Sequence, residues 1–149
     1  MTRAAGLCSG VLPILLFAGC LAPRIDVPAG YVTVPAGDGE LLSAVSPDGN
    51  RLRVRHHENP PEGTLEFWRE AMQNELVAGR GHELLESSAI AGPDDRPGWE
   101  FLFRVDRPEG AYLYLVTVRV DGRTVETVEA GGTEAALRED LPELRRAVR

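Results

Sequence analysis

The sequence predicts an α+β domain in which a largely antiparallel sheet carries packed helices. Three observations predict it. Short runs that alternate apolar and polar residues recur between Tyr31 and Ala130, separated by Gly, Pro and Asp turn signals. One stretch among them departs from that period: Leu65, Trp68, Met72 and Leu76 fall at helical spacing. At the C-terminal end Leu137, Leu141, Leu144 and Val148 form a second helical stripe. Helical stripes and half-apolar strands must bury their faces against each other, so they share one core.

Taken in order, Tyr31 to Pro35 is a short β-prone run, and Gly37, Asp38 and Gly39 turn the chain into Leu41 to Val45. Ser46-Pro47-Asp48-Gly49 is the next turn signal. In Arg51 to His57, Leu52, Val54 and His56 alternate with Arg51, Arg53, Arg55 and His57, which predicts a hairpin strand with one wet face. Pro60, Pro61 and Gly63 end it, and Thr64 is placed to cap the first helix, which closes at Gly79 and Gly81.

Glu83 to Ile90 follows as a strand, and Gly92 to Gly98 as a polar loop. Trp99 to Val105 then turns Trp99, Phe101, Phe103 and Val105 to one side. Ala111 to Val120 and Arg123 to Ala130 form a hairpin about the tip Asp121-Gly122, completing an antiparallel meander. Thr133 caps the last helical segment. Asp140 with Glu143 three residues on is a second capping signature, and Pro142 suits an early helical turn, so a break near Asp140 is expected.

The order is three strands, a helix, four strands and a terminal helix. Over Leu42 to Val148 it resembles the Mog1/PsbP-like α/β/α sandwich, with Ser46-Pro47-Asp48-Gly49 before a strand, Phe67-Trp68 in the first helix, Gly81-His82-Glu83-Leu84 after it, and the closing meander. That resemblance implies mostly non-catalytic roles, such as partner binding and assembly support. It carries over no binding residue.

The first twenty residues are of a different kind. Met1-Thr2-Arg3 supplies one positive charge, and the continuous apolar stretch from Val11 to Cys20 is too short to cross a hydrocarbon core, which needs about 20 helical residues. A cleavable export signal fits better. Phe17, Ala18, Gly19 and Cys20 resemble the lipobox of bacterial lipoproteins, with Phe17 where leucine is usual. The resemblance implies cleavage before Cys20 and acyl chains on its sulfur and new amino group. Two or three chains anchor far more firmly than one, at about 0.8 kcal/mol per buried methylene.

Leu21, rather than aspartate, follows Cys20, and by the same resemblance this favours the outer membrane facing the periplasm. The expected organisation is a signal peptide over 1–19, a lipidated tether over 20–30 and a single domain over 31–149. Cys8 and Cys20 are the two cysteines, so cleavage leaves one thiol and no intramolecular disulfide.

The formal net charge is -7, and loss of Arg3 with the leader makes the mature chain more acidic. Such a surface repels phosphate backbones and anionic lipid headgroups, so no nucleic-acid partner is expected. All 16 basic residues are arginine, a bias attributed to genome composition rather than to arginine chemistry.

No catalytic, cofactor or metal residues are nominated. His56 and His57 adjoin Glu58, but neighbours on a strand point to opposite faces and cannot easily share one ion. His82 with Glu83 and Glu86 follows a glycine-flanked turn and reads as solvated. Ser87 and Ser88 lack a nucleophile elbow. Gly79-Arg80-Gly81 and Gly131-Gly132 match no phosphate-loop fingerprint and read as helix ends. Asp94-Asp95 reads as a solvated turn. Trp68, Trp99, Tyr112 and Tyr114 are the side chains most suited to line a groove, with core packing as their default.

The functional expectation is a membrane-anchored envelope protein, held by acyl chains on Cys20, that binds an envelope partner or supports an assembly without catalysis. The alternative is a small hydrolase or lipid-handling domain whose site is assembled from distant loops.

Overall fold

A computed structural model describes residues 25–149. Cys20, and with it the lipobox, lies outside the described residues.

Seven strands form one antiparallel sheet: β1 (Val32–Thr33), β2 (Glu40–Val45), β3 (Arg51–Glu58), β4 (Glu83–Ala91), β5 (Pro97–Arg107), β6 (Gly110–Asp121) and β7 (Thr124–Thr133), in spatial order β1-β2-β3-β7-β6-β5-β4. Helix α1 (Leu65–Asn74) follows β3 and carries the chain to the far edge, where β4 begins. The meander β4 to β7 then returns until β7 pairs with β3, Leu52 opposite Ala130 and Val54 opposite Val128. Helix α2 (Glu134–Ala147) follows and covers the opposite side of the sheet.

Strand alternation builds a core on each side. Leu52, Val54, Leu102, Leu113, Leu115, Val128 and Ala130 meet Leu137, Leu141, Leu144 and Val148 of the α2 segment. Ile25 and Val27, within the stretch expected to be a tether, pack against this same core. On the other side Phe101, Phe103, Val116, Val118 and Val125 meet the expected stripe Leu65, Trp68, Met72 and Leu76. Each large apolar side chain removed from water contributes roughly 1.5–3 kcal/mol.

The caps are as the sequence implies. Thr64 Oγ1 accepts from the Phe67 N–H at 3.2 Å, and Thr133 Oγ1 from the Ala136 N–H at 3.4 Å. After Asn74 helix α1 widens into one π turn, Glu75–Gly79. Gly81, at φ +71, closes it by donating to the Val77 carbonyl, while the His82 N–H reaches that of Leu76.

Three expectations are corrected. Helix α2 runs unbroken through Asp140 and Pro142. Asp140 caps nothing there, because its carboxylate accepts from the Tyr31 hydroxyl and the Asn50 amide, each at 2.8 Å. Pro142 is exposed, so water can serve the carbonyl that its missing N–H leaves free. The β6–β7 tip is Gly122-Arg123, since Asp121 pairs with Thr124 and Gly122 takes φ +52 as the first loop residue, the position where a two-residue turn favours glycine. Gly131 and Gly132 lie inside β7 rather than at a helix end, and a Cβ on Gly132 collides with the Asn50 side chain.

Asn59 ties α1 to this hairpin. Its side chain accepts from the Trp68 indole N–H at 2.7 Å and the Gly63 N–H at 2.9 Å. It donates to the Gly63 and Gly122 carbonyls at 3.0 and 2.8 Å.

Candidate functional site: an arginine-lined depression

Helix α1 packs against β5 and β6 and reaches β7 at Val125, leaving Arg51 to Arg55 of β3 and Glu129 to Gly131 of β7 open on the same side. Because Leu52 and Val54 turn to the α2 side, Arg51, Arg53 and Arg55 stand together on the open side. The register sets Gly131 beside Arg51 and Tyr114 beside Gly131, and sets Glu129 beside Arg53. The β5–β6 hairpin adds Val105, Arg107, Glu109 and Tyr112. The glycine-closed end of the π turn adds Arg80 and His82. Together they line an open depression of about 720 Å³, within the size range of small-molecule sites.

Its walls are held by charge. Glu40 Oε1 lies 2.9 Å from Arg55 Nη2 and 3.3 Å from Arg53 Nε, and the Gly37 N–H donates to the other carboxylate oxygen at 2.9 Å. That backbone N–H first, and Arg55 second, hold the Glu40 carboxyl below its ordinary value of 4.5. Glu129 sits 3.7 Å from Arg55 Nη1. Burial foremost, with the Glu129 charge adding to it, pushes the Tyr114 phenol up, so it stays protonated. Burial, reinforced by the charges of Arg80 and Arg107, pushes the His82 imidazole down, so at neutral pH it is uncharged.

Arg80 pairs with Glu75 at 3.2 Å, both well exposed, a contact worth little in water. The Arg107 guanidinium lies over the Tyr112 ring, 5.6 Å from its centre. Among the described residues Arg51 and Arg107 meet no carboxylate within salt-bridge reach.

The acidic net charge therefore does not describe this side of the molecule. The arginine bias of the sequence is indifferent to position, but the fold gathers five of its arginines around one depression. Sequence reasoning missed this. The available signal was arginine at alternate positions of β3, read only as a wet face. Its meaning depended on β7 and β6 being its neighbours.

The residues singled out from sequence do not converge. His56 points to the α2 side, its Nε2 3.1 Å from Glu126, which also takes the nearly buried Arg119 at 3.1 Å. Arg119 in turn reaches the Val148 carbonyl at the C-terminal end of α2, where a positive charge is favourable. His57 points the other way and only approaches buried Thr127, at 3.5 Å, the limit of a hydrogen bond. Glu86 pairs with Arg145 at 2.6 Å, away from His82.

His82 itself is not simply solvated. Its ring stands edge-on to Phe103 and Tyr114, 6.1 Å from each. Ser87 accepts from the Trp99 indole at 2.7 Å. Asp95 is exposed at φ +56, and the Asp94 side chain lies outside the described residues. Of the four aromatic residues proposed for a groove, Tyr112 and Tyr114 line the depression, and Trp68 and Trp99 pack against the core on the α1 side.

No protein-family model and no curated protein matches the sequence. Solved structures do match its shape. LpqN of Mycobacterium tuberculosis, involved in cell envelope biogenesis, aligns with a TM-score of 0.65 at 11% identity, over 83% of this chain and 78% of that one. Cyanobacterial PsbP (CyanoP) from Synechocystis sp. PCC 6803 gives 0.60 at 15% identity, over 81% and 80%.

The fold is Mog1/PsbP-like. Mog1p, the Ran-binding protein of Saccharomyces cerevisiae, aligns at 0.52 and 15% identity, over 84% and 88%. At these identities the likeness establishes architecture alone. Among the described residues no helix is long and apolar enough to cross a membrane.

Proposed function

We propose that this chain is a lipid-tethered envelope protein that acts by binding, and that the open half of the sheet is its binding surface. The observation that carries this is the depression itself. Arginines, tyrosines and a neutral histidine are presented there from paired strands and a closed helix end, with Arg53 and Arg55 held by Glu40 and Glu129. Tethering through Cys20 supplies the second half of the function, because confinement to a surface raises the local concentration of the domain. The Leu21 that follows Cys20 favours the outer membrane.

The roles of two fold neighbours, envelope biogenesis for LpqN and Ran binding for Mog1p, support a binding or support role over catalysis.

The test is rescue of the defect caused by deleting the gene. Cys20→Ser should lose fatty-acid labelling and impair rescue, and Gly131→Leu, which puts a branched side chain on the floor of the depression, should impair rescue while remaining labelled and folded. Equal labelling of the native and Cys20→Ser chains overturns the tether. A folded Gly131→Leu chain that rescues fully overturns the binding surface. Turnover of an ester or peptide by the purified native chain moves the assignment to the hydrolase alternative.

A further inference from the structure

We propose that the depression binds a phosphate monoester, with the phosphate seated over Gly131 among Arg51, Arg80 and Arg107 and a hydroxyl-bearing body reaching toward Glu129. This deepens the binding role above and rests on it.

The register supplies the seat. Arg51, Gly131 and Tyr114 lie side by side on three neighbouring strands, so Arg51 and Tyr114 are roughly 10 Å apart at the backbone, with a residue lacking a side chain between them. The nearest atom to a Cβ built on Gly131 is Tyr114 Cδ2 at 3.7 Å. The floor is thus open over Gly131 and walled by a guanidinium on one side and a phenol on the other.

Charge and geometry select the ligand class. The lining carries five arginines against Glu109 and Glu129. Glu40 and Glu75 lie behind it and engage Arg53, Arg55 and Arg80. At the Gly131 end Arg51 and Arg107 have no carboxylate partner among the described residues, and the Arg80 pair is exposed and easily exchanged. Two uncompensated positive charges match a phosphate monoester, which carries about -1.5 to -2 at neutral pH, better than a single carboxylate.

These three arginines come from three elements: β3, the end of the π turn and the β5–β6 hairpin. A tetrahedral phosphate offers oxygens in several directions to such a set, whereas a planar carboxylate suits one fork. Glu109, on the rim, opposes an anion there. Glu129, two residues along β7 from Gly131 on the same face, opposes an anion on its own side and accepts well from hydroxyls, which sets the ligand's orientation.

The ligand can be a soluble phosphorylated sugar or a lipid headgroup. The full chain, purified in a neutral detergent, is titrated by calorimetry with inorganic phosphate, glucose 1-phosphate and short-chain dihexanoyl phosphatidic acid, with dihexanoyl phosphatidylcholine, a zwitterionic phosphate diester of no net charge, as the control for a dianionic monoester. We expect at least one phosphate probe to bind at one site, with each of Arg51→Gln and Arg107→Gln weakening it about tenfold or more, as loss of a charged hydrogen bond implies. Gly131→Leu should abolish it. Arg146→Gln, on the far helix, should leave it unchanged.

The tighter of the sugar and lipid probes identifies the source. Absence of binding by every phosphate probe overturns the proposal, as does equal weakening by Arg146→Gln or equal affinity for phosphatidylcholine. If no probe binds while a folded Gly131→Leu chain still fails to rescue, the phosphate class falls and the binding surface stands.

Discussion

Replacing Asn59 with alanine should be among the most costly single changes in this domain. The residue is 2% exposed, and its amide makes four hydrogen bonds that join the loop before α1, the helix itself and the β6–β7 tip. Alanine leaves the Trp68 indole N–H, the Gly63 N–H and two carbonyls without these partners. At about 1 kcal/mol for each of four bonds, less what water recovers at the half-buried groups, the loss is about 3 kcal/mol. Total stability for a domain of this size is about 5–15 kcal/mol. Urea unfolding followed by tryptophan fluorescence should show the midpoint falling with the slope unchanged, and the melting temperature should drop by roughly 10 °C. A loss under about 1 kcal/mol would refute the reasoning, because it would mean that α1 and the hairpin hold together without Asn59.

Leu144→Ala, at a fully buried site under α2, should cost about 2–5 kcal/mol in the same assay. Glu40 predicts a pH effect. Its carboxyl lies below 4.5 in the folded chain, so its contribution is complete above the unfolded value and fades as the pH falls through the lower folded one. Thermal melts of Glu40→Gln should therefore match the native chain best at the acid end and fall behind it above about pH 5, and a constant difference across the range would contradict the pairing. His57→Ala should change stability by under about 0.5 kcal/mol, whereas His56→Ala, losing its contact with Glu126, should cost about 1 kcal/mol.

The elements were legible wherever local physics decides them. The stripe Leu65, Trp68, Met72, Leu76 and the cap Thr64 specify α1, and the alternation Trp99, Phe101, Phe103 specifies β5, because period and capping are properties of a few neighbouring residues. What was not legible depends on partners distant in sequence. Asp140 reads as a helix start until Tyr31 and Asn50 are found on its carboxylate. Gly131-Gly132 reads as a break until Asn50 is seen to pack against Gly132 and Tyr114 to pair beside Gly131. The depression belongs to the same class: Arg51 and Tyr114 are 63 positions apart in the chain, and only the return of β7 between β3 and β6 makes them neighbours.

Whether the depression is a binding surface is decided by comparing what the native and Gly131→Leu chains retain on isolation. Both are purified full length from intact envelopes after gentle crosslinking, and everything held at stoichiometric level is quantified by mass spectrometry. Gly131 has no positive φ and room for a side chain, so the variant should melt within a few degrees of the native chain. A species retained by the native chain should be depleted at least tenfold from Gly131→Leu. Equal retention by both chains, with both folded and labelled, would contradict it.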